Sequence, residues 1–119
     1  MAKSTKPTVT ICGLPNDGIG RIVLIIICEK LSDNDYHIDS DSVYMDIHSS
    51  EIQNRFEYKV GFDKIKRATE QIKQVHLEIE ARADKNVKFL NFFEAFKFHN
   101  NTLSVYLYKE NFHITKSLF

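Results

Sequence analysis

The sequence is short of several features, and each shortage excludes a class of protein. It has only two cysteines, Cys12 and Cys28, and neither has a histidine or a second cysteine near it at metal-ligand spacing. They predict two reduced, buried thiols rather than a metal site. The longest apolar run, residues 22–28, is far shorter than the roughly 20 residues that a membrane-spanning helix needs.

A surplus of either charge is also missing. Lysine plus arginine number 16 and aspartate plus glutamate number 16, so the net charge is zero. A neutral total gives no general attraction to nucleic acid or to an anionic membrane, although it can hide a local patch. Residues 1–8 carry no apolar stretch of the kind that a secretory signal needs. We therefore expect a cytoplasmic protein with no membrane partner.

The 119 residues do contain enough apolar side chain for one core. Hydrophobic residues make up 43% of the chain, and no repeat, linker or low-complexity segment divides it. We predict a single domain over residues 1–119, in which residues 1–7 are a polar tail.

Alternating and periodic patterns predict the elements of the first half. Residues 8–12 alternate as a strand, and residues 21–31 are apolar on most sides, which favours a helix over a buried strand. Residues 43–48 and 56–60 both alternate, and the short polar link between them predicts a two-stranded hairpin.

The second half begins with a strong helical stripe. Ile65, Ile72 and Ile79 recur every seven residues, which predicts a helix over residues 63–84 with Asp63 as its N-cap. The Phe-rich residues 87–93 suit either a helix or a strand. Asparagines then separate two alternating runs, which predicts a hairpin over residues 96–107. The order predicts an α+β fold, a ferredoxin-like β-α-β-β-α-β arrangement with an extra C-terminal strand or hairpin.

The Gly-rich turn at residues 13–20 is the most suggestive local feature for function. A strand, a turn and a helix N-terminus present backbone N–H groups to an anion or a carboxylate, and Arg21 adds a cation. The phosphate-loop pattern is absent, because Gly13 and Gly18 are followed by Ile19 and Gly20, and the dinucleotide fingerprint is also absent. A plain connection, a small-anion site and a nucleotide site all stay open.

Two short motifs flank the first predicted helix. Asp17, Gly18 and Ile19 precede it, and His37-Ile38-Asp39-Ser40 leads into the next strand. Through these motifs the stretch TVTICGLPNDGIGRIVLIIICEKLSDNDYHIDSDSVYMDI resembles the start of an ACT-type regulatory domain, and the order of elements keeps the likeness to about residue 84. The resemblance implies a homodimer that binds an amino-acid-like small ligand through Asn16, Asp17, Gly18, Ile19, Gly20 and Arg21.

Tyrosines near the C-terminus leave a nucleic-acid function open. Tyr106, Tyr108 and Lys109 have the spacing seen in the nicking motif of rolling-circle initiators, but no His-hydrophobic-His metal pair accompanies them. A nucleic-acid-binding protein or nuclease that uses Tyr106 or Tyr108 is therefore an alternative. His48, beside Asp46, is a further candidate acid–base group if a cleft surrounds it and Glu57 faces it across the hairpin.

No catalytic constellation and no cofactor motif is visible, so nothing favours an enzyme. The sequence predicts a non-enzymatic regulatory or interaction module that binds a small ligand or a protein partner as a homodimer. Nine phenylalanines in so short a chain support an interface of this kind. A last alternative is a phage or viral inhibitor that contacts a basic host protein through the acidic loop at residues 33–41.

Overall fold

The structure is a computed structural model that describes residues 8–15, 18–80 and 86–119. These residues form a mixed α+β fold with four α-helices and two antiparallel sheets, which confirms the predicted class. The helices are α1 (Gly18–Ser32), α2 (Ser49–Gln53), α3 (Phe62–Lys73) and α4 (Phe112–Leu118). The strands are β1 (Thr8–Cys12), β2 (His37–Ile38), β3 (Val43–His48), β4 (His76–Glu80), β5 (Val87–Asn91), β6 (Phe93–His99) and β7 (Thr102–Leu107).

The strands divide between a three-stranded sheet, β1-β4-β5, and a four-stranded sheet, β2-β3-β7-β6. This division does not confirm the finer, ferredoxin-like arrangement, which needs one sheet. Buried apolar residues of α1, α3 and both sheets join in one cluster, which includes Val23, Ile27, Met45, Ile72, Leu77, Phe93 and Val105. Within the described residues, no helix has the length and apolar character needed to cross a membrane.

The apolar run at residues 22–28 lies in α1, as predicted. Val23, Ile26 and Ile27 are buried and, at i, i+3 and i+4 spacing, share the face of the helix that packs into the core. The helix begins three residues earlier than predicted, at Gly18, whose φ of 75° is a conformation that glycine adopts without strain.

The predicted hairpin over residues 43–48 and 56–60 is wrong. Its supposed link forms α2, because His48 and Glu51 make a capping box: the His48 side chain accepts from Ser50 N, and Glu51 Oε2 accepts from His48 N at 2.8 Å. Residues 56–60 form a connection to α3 instead of a strand. β3 pairs instead with β2 and with β7, where Met45 lies opposite Val105.

The predicted helix over residues 63–84 is too long. It begins at Phe62 with Gly61 as the N-cap, not Asp63, and it ends at Lys73. Ile79 lies on β4, where Leu77 and Ile79 alternate with His76 and Glu78. The seven-residue recurrence of isoleucine therefore spans two elements, with Ile65 and Ile72 on α3 and Ile79 on β4. Residues 81–84 of the predicted helix lie outside the described residues.

The remaining predictions concern the Phe-rich region. Residues 87–91 form β5 and not a helix, and β6 begins at Phe93. The predicted hairpin is confirmed as β6–β7, with His99 opposite Thr102. Its turn residues Asn100 and Asn101 have φ of 48° and 62°, which asparagine tolerates better than most residues.

Candidate nucleic-acid interface

Helix α3 has one buried side and one long exposed side. Ile65, Ala68, Thr69 and Ile72 are buried, and the Thr69 hydroxyl is satisfied because it donates to the Lys66 carbonyl at 2.6 Å. At 3.6 residues per turn, the side chains that point away from this buried stripe follow one line along the helix. They are Asp63, Arg67, Glu70 and Gln74, and all four are exposed.

Lysines lie on both sides of that line. Lys66 and Lys73 lie on the side towards β6, where they border a shallow depression with Phe96 and Phe98. Lys64 lies on the other side, and its Nζ is 5.8 Å from the centre of the Tyr58 ring. We call Lys64, Lys66, Arg67 and Lys73 the basic face of α3. None of these four residues takes part in a salt bridge within the described residues.

The neutral total charge conceals an uneven distribution along the chain. Residues 55–73 contain six cations and three carboxylates, a net charge of +3, whereas residues 33–51 contain six carboxylates and no lysine or arginine. Several charges near the acidic stretch are neutralised locally: Lys30 pairs with Asp35 and Glu51 at 3.1 Å, and Arg55 pairs with Glu29. The unpaired cations of the basic face are therefore the main anion-attracting feature of α3.

The elements around α3 leave its basic face open. A connection of residues 54–61 leads from α2 to α3, and Gln53 fixes it by donating to the Tyr58 carbonyl at 2.7 Å and accepting from Val60 N at 2.8 Å. The antiparallel pair β4–β5 follows α3 directly. Along the chain, α2 is thus followed by the connection, by α3 and then by the β4–β5 pair.

Part of the predicted ligand turn adjoins this face. Gly18, Ile19 and Gly20 form the start of α1, and Gly18 and Gly20 border a crevice of about 240 Å³ together with Lys64, Arg67 and Gln71 of α3. The contact is close, since a Cβ on Gly20 would lie 3.0 Å from Gln71 Oε1. Arg21 is exposed on the same first turn, and Asn16 and Asp17 lie outside the described residues. The sequence predicted the turn but not its neighbours on α3.

The predicted tyrosines lie elsewhere. Tyr106 is on the outer face of the four-stranded sheet, where its ring stacks on Tyr44 at 5.3 Å and Lys97 Nζ lies 4.7 Å from its centre. Desolvation raises the pKa of the Tyr44 hydroxyl, and the carboxylates of Asp39 and Asp46 raise it further. Tyr108 follows β7 and its backbone N–H donates to the Phe92 carbonyl at 3.2 Å. The nearby carboxylates make this face less suited to phosphate than α3.

The candidate acid–base trio of His48, Asp46 and Glu57 is wrong. His48 caps α2, and its Nδ1 lies 2.8 Å from Ser50 Oγ. Asp46 accepts from Ser104 Oγ at 2.6 Å, across the β3–β7 pair. Glu57 lies in the connection before α3, so no hairpin brings it opposite His48.

Three metal-ligating side chains meet on the three-stranded sheet, contrary to the prediction from cysteine spacing. Cys12, His76 and Glu78 form the one such group within the described residues. Burial and Glu78 raise the pKa of the Cys12 thiol. Both cysteines are free and half-buried rather than fully buried. Cys12 and His76 are far apart in the chain, and only the pairing of β1 with β4 brings them together.

Comparisons of the chain with protein-family models, curated proteins and solved structures gave no match. The ACT-type likeness, the homodimer and the small ligand therefore stay predictions, as does the host-protein inhibitor.

Proposed function

We propose that the protein binds double-stranded DNA by placing helix α3 in the major groove. The observation that carries this proposal is the basic face of α3: three lysines and one arginine on an exposed helix, none of them neutralised by a salt bridge within the described residues. A helix of 12 residues is about 18 Å long. The major groove is about 12 Å wide and admits an α-helix.

The exposed side of α3 divides into two kinds of side chain. Arg67, Glu70 and Gln74 lie along its centre and have the groups that bond to base edges: arginine to guanine, glutamate to cytosine and glutamine to adenine. Lys64, Lys66 and Lys73 flank this line at positions that suit the phosphates on either side of the groove. The central side chains would distinguish base sequences, and the flanking lysines would bind the phosphates of any sequence. We therefore propose sequence-specific binding and not binding by charge alone.

The start of α1 supports the same proposal. Gly18, Ile19 and Gly20 of this helix start line one crevice with Lys64, so one DNA phosphate there would meet a helix N-terminus and a lysine.

Substitution of two flanking lysines tests the proposal. Fluorescence anisotropy with a mixed-sequence duplex should show that Lys66→Ala combined with Lys73→Ala weakens binding about tenfold or more at moderate salt, because two phosphate contacts are lost. The control is Lys97→Ala, which removes a lysine from the outer face of the four-stranded sheet. This variant should change duplex affinity little. A loss in Lys97→Ala without a loss in the double variant would contradict the proposal and move the site to the face that carries Tyr106.

A small-ligand module is the second candidate, and the crevice beside Gly18 and Gly20 is the observation that favours it. An amino acid could place its carboxylate there, against the start of α1 and Arg67. This candidate keeps the predictions of a cytoplasmic homodimer and an ACT-type, ferredoxin-like regulatory domain. Native mass spectrometry of gently purified protein tests it: a dimer with a co-purified small mass supports it, and a bare monomer contradicts it.

A further inference from the structure

The outer face of the three-stranded sheet gathers three side chains that bind transition metals. Cys12 on β1 lies directly opposite His76 on β4, and Glu78 is two residues further along the same strand. Side chains at positions i and i+2 of a strand share a face, as do directly opposed residues of paired strands. The Cys12 Sγ, one imidazole nitrogen of His76 and one carboxylate oxygen of Glu78 all lie within 4.8 Å of one another.

The imidazole is already oriented as a ligand. His76 Nδ1 lies 2.8 Å from the Gln74 carbonyl oxygen, which can only accept a hydrogen bond, so Nδ1 carries the proton. The other nitrogen, Nε2, then faces Glu78 Oε1 at 3.3 Å. A backbone carbonyl on the far nitrogen is the usual way in which proteins fix a metal-binding histidine in the correct tautomer.

The spacing of the donor atoms suits a tetrahedral ion. Zinc binds histidine nitrogen and carboxylate oxygen at about 2.0–2.2 Å, which places two such ligands about 3.3–3.5 Å apart at the tetrahedral angle. The observed separation of Nε2 and Oε1, 3.3 Å, already has this value. The Cys12 Sγ lies within 4.8 Å of both atoms, so a side-chain rotation can bring it to the ion.

We propose that Cys12, His76 and Glu78 bind one Zn²⁺ ion, with a water molecule as the fourth ligand. A thiolate and an imidazole select zinc over magnesium or calcium, which prefer oxygen ligands. When the ion binds, the thiol proton and any proton that Nε2 shares with Glu78 pass to the solvent, and the sulfur and Nε2 bond to the metal. All three residues are half-buried, so the ion has access from solvent.

The ion would act as a cross-link between strands. β1 is an edge strand of the sheet, joined to the rest only through β4. Zinc would add a second connection between these two strands, next to the turn that leads into α1. Because it binds the folded protein and not the separated strands, zinc stabilises the fold and raises the melting temperature. The inference does not depend on DNA binding.

Cobalt titration of reduced, metal-free protein tests the site. Co²⁺ replaces zinc in such sites, and a sulfur ligand gives a thiolate-to-cobalt absorption band in the near ultraviolet together with the visible bands of a tetrahedral ion. We expect both at one equivalent of Co²⁺, followed by their loss when Zn²⁺ is added. Cys12→Ser, His76→Gln and Glu78→Gln should each weaken metal binding at least tenfold, since even outer-shell changes cost 10–100-fold.

Two matched variants serve as controls. Cys28→Ser removes the other thiol, and His113→Gln removes an exposed histidine on α4. Both should bind cobalt as the wild type does. A wild-type spectrum without the thiolate band, or a band that survives Cys12→Ser, would overturn the site. Circular dichroism in the absence of metal shows which of the three ligand variants fold. A variant that folds but still binds cobalt as tightly as the wild type would contradict the site.

Discussion

Glycine at position 13 illustrates how one residue ties two elements together. Gly13 follows β1 with a φ of 79°, and a Cβ added there would lie 2.9 Å from the Gln74 carbonyl oxygen at the end of α3. A side chain would therefore be strained by its own backbone and would also collide with a neighbouring backbone atom that cannot rotate away.

Gly13→Ala should accordingly lower the free energy of unfolding by about 1–3 kcal/mol, measured by chemical denaturation. The matched control is Gly61→Ala, where the added Cβ meets nothing within 4 Å. Gly61 is the N-cap of α3, where alanine is somewhat less favourable than glycine, so the control should lose less stability than Gly13→Ala. A Gly13→Ala variant as stable as Gly61→Ala would contradict the close approach of β1 and α3.

Residue-level signals also explain why the candidate sites were only partly predictable. The Gly-rich turn is a local pattern, so the sequence alone marked Gly18 and Gly20. The group formed by Cys12, His76 and Glu78 depends on the register of β1 with β4, which no spacing along the chain reveals. His48 was predicted to be an acid–base group on a hairpin, but it caps α2. The capping box is a local signal, yet the alternating pattern of residues 43–48 and 56–60 favoured a hairpin instead.

At the scale of elements, short-range chemistry predicted more than periodicity did. The β6–β7 hairpin was predictable because two asparagines separate alternating runs, and both adopt positive φ. The helix over residues 63–84 was overextended because Ile79 fits a helical stripe and a β-strand equally well. Only the pairing of Ile79 with Val9 and Lys88 in the sheet distinguishes the two.

The same hairpin gives a test at this scale. Asn101→Gly should keep or slightly raise the stability, because glycine adopts a φ near 62° freely. Asn101→Val should lower the free energy of unfolding by about 1–2 kcal/mol, because a β-branched residue is strained in this conformation. Thermal melts of the two variants provide the comparison. If valine were tolerated as well as glycine, the turn would not have the positive φ described.

For the whole molecule, the distribution of charge matters more than its sum. The zero net charge argued against nucleic acid at the sequence level, yet it combines a stretch with six carboxylates at residues 33–51 and a stretch of net charge +3 at residues 55–73. Folding places four of the six cations of the second stretch on the solvent side of α3, while the apolar residues of that helix join the core. This uneven distribution of charge can be read from the sequence, but the net charge of the whole chain conceals it.

The central claim is that the basic face of α3 binds DNA phosphates. The most direct measurement is the duplex affinity as a function of salt, for the wild type and for Lys66→Ala combined with Lys73→Ala. Three phosphate contacts, made by Lys64, Lys66 and Lys73, predict a slope of log K against log salt of about −2.7, and the double variant should reduce its magnitude by about 2. A wild-type affinity independent of salt, or an unchanged slope in the double variant, would contradict the account.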